Sequence, residues 1–195
     1  MVGNKDIGGL QACQIEGFAG SGTNNAVLLV FLAQLDRAEY HCYSTMTLCW
    51  GAQAALYHYY GVNKTVLPAK MFGIFPYGLT VKNHPLMRGF DDRYFIPQSR
   101  HTAVDDDAID ACKALQVLSR SVENGINICA TKDFRRIFVL GHFEYDRYTL
   151  ANEFYRDKQK NLPTGRPPTS LLFSIFAKRA ATLWLPPPFT VAPLT

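Results

Sequence analysis

Several features that mark particular classes of protein are missing from this sequence. Its longest apolar run, from Ala26 to Leu35, includes Gln34 and is shorter than the ~20 residues that cross a bilayer, so we expect no membrane association. Lys and Arg are scattered and the net charge is only +4, which argues against nucleic acid as a partner. The five cysteines form no CxxC pair and no zinc-like spacing, so we expect no metal site. Their odd number, with no recognisable signal peptide, favours a reducing compartment, and we expect a cytoplasmic protein.

What the sequence does contain is an alternation of strand-like and helical segments, which indicates an α/β fold. Residues 26–38 fit either a helix or a buried strand. Beyond them we predict strands over 43–48, 71–75, 77–81, 126–130 and 136–140, and helices over 50–60, after Asp105 and over 149–158. We assign residues 1–160 to a single α/β catalytic domain. Residues 161–195, with seven prolines, are expected to form an irregular Pro-rich tail.

Cys49 lies at the junction between a predicted strand and a predicted helix. A helix N-terminus presents N–H groups and a partial positive charge, and this environment favours the reactive thiolate. The amide of Trp50, the next residue, is placed to donate a hydrogen bond to an oxyanion. For a cysteine considered alone, a buried structural role is the commoner alternative.

His142 and Glu144 follow another predicted strand, 136–140. A thiol nucleophile needs a base within reach and a group that orients the base. If the strands that end at Leu48 and Leu140 are neighbours, Cys49 and His142 emerge at the same edge of the sheet. Glu144 could then accept the second imidazole N–H, so the three residues together predict a Cys–His–Glu catalytic triad.

Five segments in the same order resemble the homoserine O-acyltransferase family, which comprises homoserine transacetylases and transsuccinylases. The matching segments run from about residue 41 to about residue 157. They are Cys-Trp-Gly-Ala-Gln-Ala-Ala-Leu at 49–56, Lys-Met-Phe-Gly at 70–73, Arg-Gly-Phe-Asp-Asp at 88–92, Pro-Gln-Ser-Arg-His at 97–101, and Gly-His-Phe-Glu-Tyr-Asp at 141–146. The combination of the third and fourth segments with the cysteine segment is specific, because a generic amidotransferase would not contain it.

The resemblance implies the fold of class I glutamine amidotransferases, a flavodoxin-like and mostly parallel sheet flanked by helices. It also implies a ping-pong transfer, with no bound cofactor, from acetyl-CoA or succinyl-CoA to L-homoserine in methionine biosynthesis, with acetyl favoured. Cys49 would become acylated, and His142, oriented by Glu144, would serve as base. By the same analogy Lys70, Ser99 and Arg156 would hold the amino acid, and the protein would form a homodimer.

Three departures from the family bear on these expectations. Phe143 stands where the family has proline, which removes a constraint on the loop between His142 and Glu144. Only 48 residues precede Cys49, fewer than in family members, so we expect the sheet to be incomplete on its N-terminal side. The residues from about 161 do not follow the family.

Two alternatives remain open at the level of sequence. A glutaminase-type amidotransferase uses the same Cys–His–Glu set. A truncated relative could retain the catalytic segments without activity.

Overall fold

The computed structural model describes residues 25–146 and 148–162. Residues 1–24 and the expected Pro-rich tail beyond residue 162 lie outside the described residues. In chain order the elements are α1 (Asn25–His41), β1 (Thr45–Leu48), α2 (Trp50–Tyr60), β2 (Lys64–Leu79), a 3-10 turn (Pro85–Met87), β3 (Arg93–Val104), α3 (Asp106–Ala111), β4 (Leu115–Ser121), β5 (Gly125–Thr131), β6 (Arg136–Val139) and α4 (Thr149–Gln159).

Helices α1 and α2 pack together on one face of the sheet. The segment 26–38, which the sequence left as either a helix or a buried strand, is part of helix α1. Its residues Leu28, Leu32 and Leu35 recur at helical spacing and are all buried. They contact a buried face of α2 that includes Leu56. Helix α2 has the predicted bounds and ends at Gly61, whose φ of 68° is left-handed and whose N–H bonds back to the last turn.

Helix α3 begins where the acidic loop predicted it. The side chain of Asp105 accepts a hydrogen bond from the Ala108 amide at 3.1 Å, which caps the first turn. The carboxylate of Asp106 accepts from the Ile126 amide at 2.9 Å and so ties the helix to the start of β5. None of the helices within residues 25–146 and 148–162 combines the length and apolar character needed to cross a membrane.

The six described strands form one sheet in the order β1-β6-β5-β4-β2-β3. The α/β class is confirmed, but the expectation of a mostly parallel sheet is wrong for these residues. Only β1 and β6 pair in parallel, and the other four pairs are antiparallel. The reason is connectivity: β4, β5 and β6 are joined by short turns, and short turns join antiparallel neighbours.

The segment 70–100 forms two long paired strands instead of the short broken pieces expected from its Gly and Pro residues. Pro97 is accommodated because β3 is an edge strand, where a missing N–H need not interrupt a ladder. Alternate residues of β3 from Tyr94 to Val104 are buried. This buried face includes Ile96, beside the loop after β6, and Thr102, which exchanges two hydrogen bonds with Gln53 of α2. Strand β3 thus closes over the edge of the sheet where α2 begins.

Candidate active site

The parallel pair β1–β6 brings the ends of two strands to the same edge of the sheet. Leu48 is in register with Val139, and the Cys49 amide donates to the Val139 carbonyl at 2.8 Å. His142 follows β6 by three residues. These two strands are therefore neighbours, which was the condition for Cys49 and His142 to emerge side by side at the carboxyl edge.

The backbone of Cys49 has an unusual conformation, with φ 48° and ψ −116°. A non-glycine residue in such a region costs about 1–3 kcal/mol and is held only by its surroundings. Two contacts hold it here: the bond to Val139 and the bond from the Gln53 amide to the Cys49 carbonyl at 3.1 Å. The turn projects the thiol at the start of α2, and Trp50 is the first residue of that helix. First-turn amides point out of a helix N-terminus, which is the direction an oxyanion donor needs.

His142 is fixed by its backbone as well as by its side chain. Its amide donates to the Pro97 carbonyl at 3.0 Å. Its Nδ1 is 2.6 Å from Oε1 of Glu144, and since the carboxylate is an acceptor, Nδ1 carries a proton. The side chain of His142 is only 12% exposed, whereas that of Glu144 is 48% exposed. The Glu144 contact leaves Nε2 as the ring nitrogen available to Cys49.

Electrostatics around His142 favour the charged ring. Burial lowers the pKa of His142, but hydrogen bonding and charge from Cys49 and Glu144 outweigh burial and raise it from 6.5 to about 9. Nε2 is buried and makes no hydrogen bond of regular geometry within the described residues. The thiol is thus near enough to act on the ring without a fully formed bond, and catalytic hydrogen bonds often tighten only when substrate is bound.

Phe143 packs into an aromatic cluster next to the catalytic loop. Its ring lies 5.9 Å from that of Phe90 and 6.4 Å from that of Tyr94, measured between centroids. Phe90 belongs to the Arg-Gly-Phe-Asp-Asp segment noted in the sequence. Although Phe143 replaces the family's proline, side-chain packing restrains the loop, and the His142–Glu144 contact is formed.

Lys70, Ser99 and Arg156, the residues expected by analogy to hold the amino acid, lie in a second cluster. Lys70 Nζ lies 2.6 Å from Asp157 and 3.7 Å from Glu153. Arg156 donates through Nε and Nη2 to the other oxygen of Asp157, at 2.9 and 2.8 Å. The Ser99 hydroxyl donates to Glu153. Burial raises the pKa of Asp157, but the bonds from Lys70 and Arg156 outweigh it and hold that pKa below its ordinary value.

Glu153 and Asp157 were missed by the sequence analysis. Both lie on α4, one helical turn apart, in a segment whose charges look like those of any solvated helix. The spacing from Glu153 to Asp157, with Arg156 beside them, was the only available signal, and it does not reveal that Lys70 of β2 would meet them.

Tyr145 connects the two clusters. Its ring stacks on that of His142 with centroids 4.1 Å apart, and its hydroxyl donates to Glu153 at 2.6 Å. Burial and the Glu153 carboxylate raise the pKa of Tyr145 well above its ordinary value, so the phenol stays protonated. The cluster around Lys70 and Asp157 therefore adjoins the ring of His142.

Comparisons with known proteins agree with this geometry. The model of a family described as homoserine O-succinyltransferase matches residues 30–178. A homoserine O-acetyltransferase of Desulfitobacterium hafniense is 48% identical over 133 residues, which cover 68% of this chain and 43% of that protein. A homoserine O-acetyltransferase of Brevibacillus brevis is 52% identical over 124 residues, covering 64% and 40%. The chain thus spans less than half the length of these relatives.

Solved structures that resemble the chain share its fold at low sequence identity. A glutamine amidotransferase from Thermotoga maritima has a TM-score of 0.59 and 15% identity, over 80% of this chain and 63% of that one. One from Methylobacillus flagellatus has a TM-score of 0.58 and 13% identity, over 84% and 70%. The expected glutamine amidotransferase-like fold is confirmed.

Proposed function

The chain belongs to the homoserine O-succinyltransferase family, and on that premise we propose that it transfers an acyl group to the hydroxyl of L-homoserine, a step of methionine biosynthesis. The observation that supports this most directly is the arrangement of Cys49, His142 and Glu144 at the end of the parallel pair β1–β6. The proposed donor is an acyl-CoA. Acetyl is favoured over succinyl, because the two relatives described above are named acetyltransferases.

In the first half-reaction the sulfur of Cys49 attacks the thioester carbonyl carbon. A new C–S bond forms to Cys49, the C–S bond to coenzyme A breaks, and the proton on Nε2 of His142 passes to the departing thiolate. The Trp50 amide donates to the carbonyl oxygen as it gains negative charge. The raised pKa of His142 suits this step, because a charged imidazole is the proton donor that the leaving group needs.

In the second half-reaction the homoserine hydroxyl oxygen attacks the acyl-cysteine. Neutral His142 takes the hydroxyl proton as the new C–O bond forms, and the C–S bond to Cys49 breaks. Glu144 holds Nδ1–H throughout, so the ring keeps the tautomer that presents a basic Nε2. The charge that develops on the ring is stabilised by the same carboxylate.

The amino acid is proposed to bind at the cluster around α4. Arg156 is 53% exposed at its side chain and presents a guanidinium suited to bidentate recognition of the homoserine carboxylate. Glu153 is a partly buried acceptor already bonded to Ser99 and Tyr145, and it suits the homoserine ammonium. Lys70, only 5% exposed, is held by Asp157 and keeps the site from becoming net negative.

Intact-mass analysis tests the proposal. The protein is incubated separately with acetyl-CoA and with succinyl-CoA, and the expected result is one acyl group on the peptide that contains Cys49. Addition of L-homoserine should remove the adduct and release an O-acyl amino acid. Cys49→Ser and Cys129→Ser serve as the matched pair, because Cys129 is fully buried and should be irrelevant to labelling.

The fold favours one second candidate, glutamine hydrolysis by the same cysteine, because the resembling structures are named glutamine amidotransferases. Ammonia release from glutamine without any acyl adduct would replace the first proposal with the second. If iodoacetamide modifies Cys49 but neither donor nor glutamine reacts, the chain is an inactive relative. If iodoacetamide also spares Cys49, the nucleophile assignment is wrong.

A further inference from the structure

A chain of buried polar side chains lies directly beneath the loop that presents His142. Asn127 of β5 and Gln98 of β3 are both completely buried, and Gln98 Nε2 donates to Asn127 Oδ1 at 3.2 Å. Asn127 Nδ2 donates to the Tyr94 hydroxyl at 2.8 Å, which in turn contacts Ser119 at 2.6 Å. Gln98 Nε2 also donates to the Tyr77 hydroxyl at 3.0 Å. Amide side chains are unusual at such depth, because burial is tolerated only where their bonds are satisfied.

The backbone at Leu140 and His142 is tied to Asn127 and to the residue that precedes Gln98. The Leu140 amide donates to the Asn127 carbonyl at 2.8 Å, and the His142 amide donates to the carbonyl of Pro97, which precedes Gln98. Gly141, between them, leaves no room for adjustment: a Cβ there would lie 2.9 Å from Asn127 Oδ1. The Gly141–His142 peptide is therefore held between β5 and β3.

Strand pairing does not supply this connection. In the sheet, β4 and β2 lie between β5 and β3, and β4 and β2 pair through only two residue pairs, Gly78–Arg120 and Leu79–Ser119. At the level of His142, β3 and β5 are linked through the Asn127 side chain, which bonds to Gln98 and to Tyr94 of β3. Loss of the Asn127 amide would remove both bonds between the two strands that hold the His142 loop.

We propose that Asn127 and Gln98 are positioning residues for His142: their buried side-chain bond sets where the imidazole lies relative to Cys49. This rests on the proposed role of His142 as acid and base. A displacement of a reacting group by about 1 Å can cost on the order of 100-fold in rate. The position of His142 also sets how strongly Cys49 and Glu144 act on its ring, so the same displacement changes its titration.

The test compares Asn127→Leu with Tyr77→Phe. Both remove polar atoms from the same buried network, but Tyr77→Phe removes the hydroxyl that accepts from Gln98 and leaves both polar atoms of Asn127 in place. Gln98→Met, which keeps the side-chain length, is the second test variant should Asn127→Leu fail to fold. Thermal melting and circular dichroism establish which variants are folded and how much stability each has lost.

Two measurements that need no acyl donor report the position of His142: its titration followed by NMR, and the pH profile of Cys49 alkylation by iodoacetamide. We expect both to shift in Asn127→Leu and Gln98→Met and to stay as in the parent protein in Tyr77→Phe. With acetyl-CoA and L-homoserine, kcat should fall about 10- to 100-fold in the first two variants, with little change in KM.

The outcomes separate the two proposals. An unchanged titration and alkylation profile in folded Asn127→Leu or Gln98→Met overturns the positioning role, whether or not the protein transfers acyl groups. The same applies if Tyr77→Phe shifts both profiles equally, since the effect is then one of general stability. Shifted profiles in a protein that transfers no acyl group support the positioning role and overturn the proposed function.

Discussion

The Glu144→Gln substitution tests the electrostatic interaction between Glu144 and His142, because it removes the charge and keeps the size of the side chain. Glu144 contacts His142 at 2.6 Å, and together with Cys49 it raises the pKa of the ring from 6.5 to about 9 against the effect of burial. One pKa unit corresponds to about 1.4 kcal/mol, so the two neighbours favour the charged ring by a net amount on the order of 3 kcal/mol.

Glu144 supplies the second of the two hydrogen-bond contributions, after Cys49, so its loss should lower the pKa of His142 by about one unit. At pH 8 a group with pKa near 9 is about nine-tenths protonated, whereas one near 8 is about half protonated. Glu144→Gln should therefore nearly halve the population with a charged ring beside Cys49 at that pH.

NMR titration of the histidine side chains measures this directly, with the His142 resonance assigned from its absence in His142→Asn. Glu123→Gln is the control, since it makes the same chemical change at an exposed turn away from the site. The reasoning is refuted if His142 of the unmodified protein titrates near 6.5, or if its pKa is the same with Glu144 and with glutamine at that position.

Three further predictions concern stability, each measured by urea denaturation. Gly141→Ala should destabilise the protein by about 1–3 kcal/mol, because the added Cβ would lie 2.5 Å from Ile96 Cδ1. Ile96→Val removes that atom and should restore part of the loss. If Gly141→Ala costs the same with Ile96 and with valine at position 96, the clash is contradicted. Cys49→Gly should be more stable than Cys49→Ala by about 1 kcal/mol, because glycine adopts the positive φ of this position without strain and alanine does not. If Cys49→Ala is the more stable variant, the turn is unstrained. Asp157→Asn should cost about 3–5 kcal/mol at neutral pH, because it leaves two cations without their carboxylate. Because the pKa of Asp157 is lowered in the folded state, its contribution to the free energy of unfolding is complete above the ordinary carboxyl pKa and is lost as pH falls through the folded-state pKa. The stability difference between Asp157→Asn and the parent protein should therefore shrink below about pH 4. A difference that stays constant with pH would contradict the ion pairs.

The sequence alone predicted the parts of the site that depend on local chain direction. Cys49 at a strand–helix junction and the helix that ends at Gly61 follow from hydrophobic pattern and turn residues. The pairing of β1 with β6 is a long-range contact, and the sequence offered it only as a condition. Glu153 could not be found this way, because its role depends on docking α4 against Ser99 and Tyr145, and a helix sequence does not state what its polar face will meet.

The direction of the strands was the main error about the fold. The resemblance to a fold family with a mostly parallel sheet led us to expect mostly parallel pairing. Strands β4, β5 and β6 are instead joined as antiparallel hairpins. The turns at 121–125 and 131–136 are too short for a crossover, and they were visible in the sequence as polar interruptions between β4, β5 and β6.

The two strands that precede Cys49 and His142 are far apart in sequence, and this separation affects the order in which the protein folds. β4, β5 and β6 are joined by turns of a few residues, whereas the Thr47–Ile137 contact between β1 and β6 closes a loop of 90 residues. Closing a long loop costs entropy before any contact rewards it, so we expect the antiparallel meander to form first and β1 to dock last. Partial unfolding would then separate the thiol from the imidazole while most of the sheet persists. Amide exchange in β1 should accordingly be faster than in β5, and reactivity should be lost at denaturant concentrations that leave the hairpins intact.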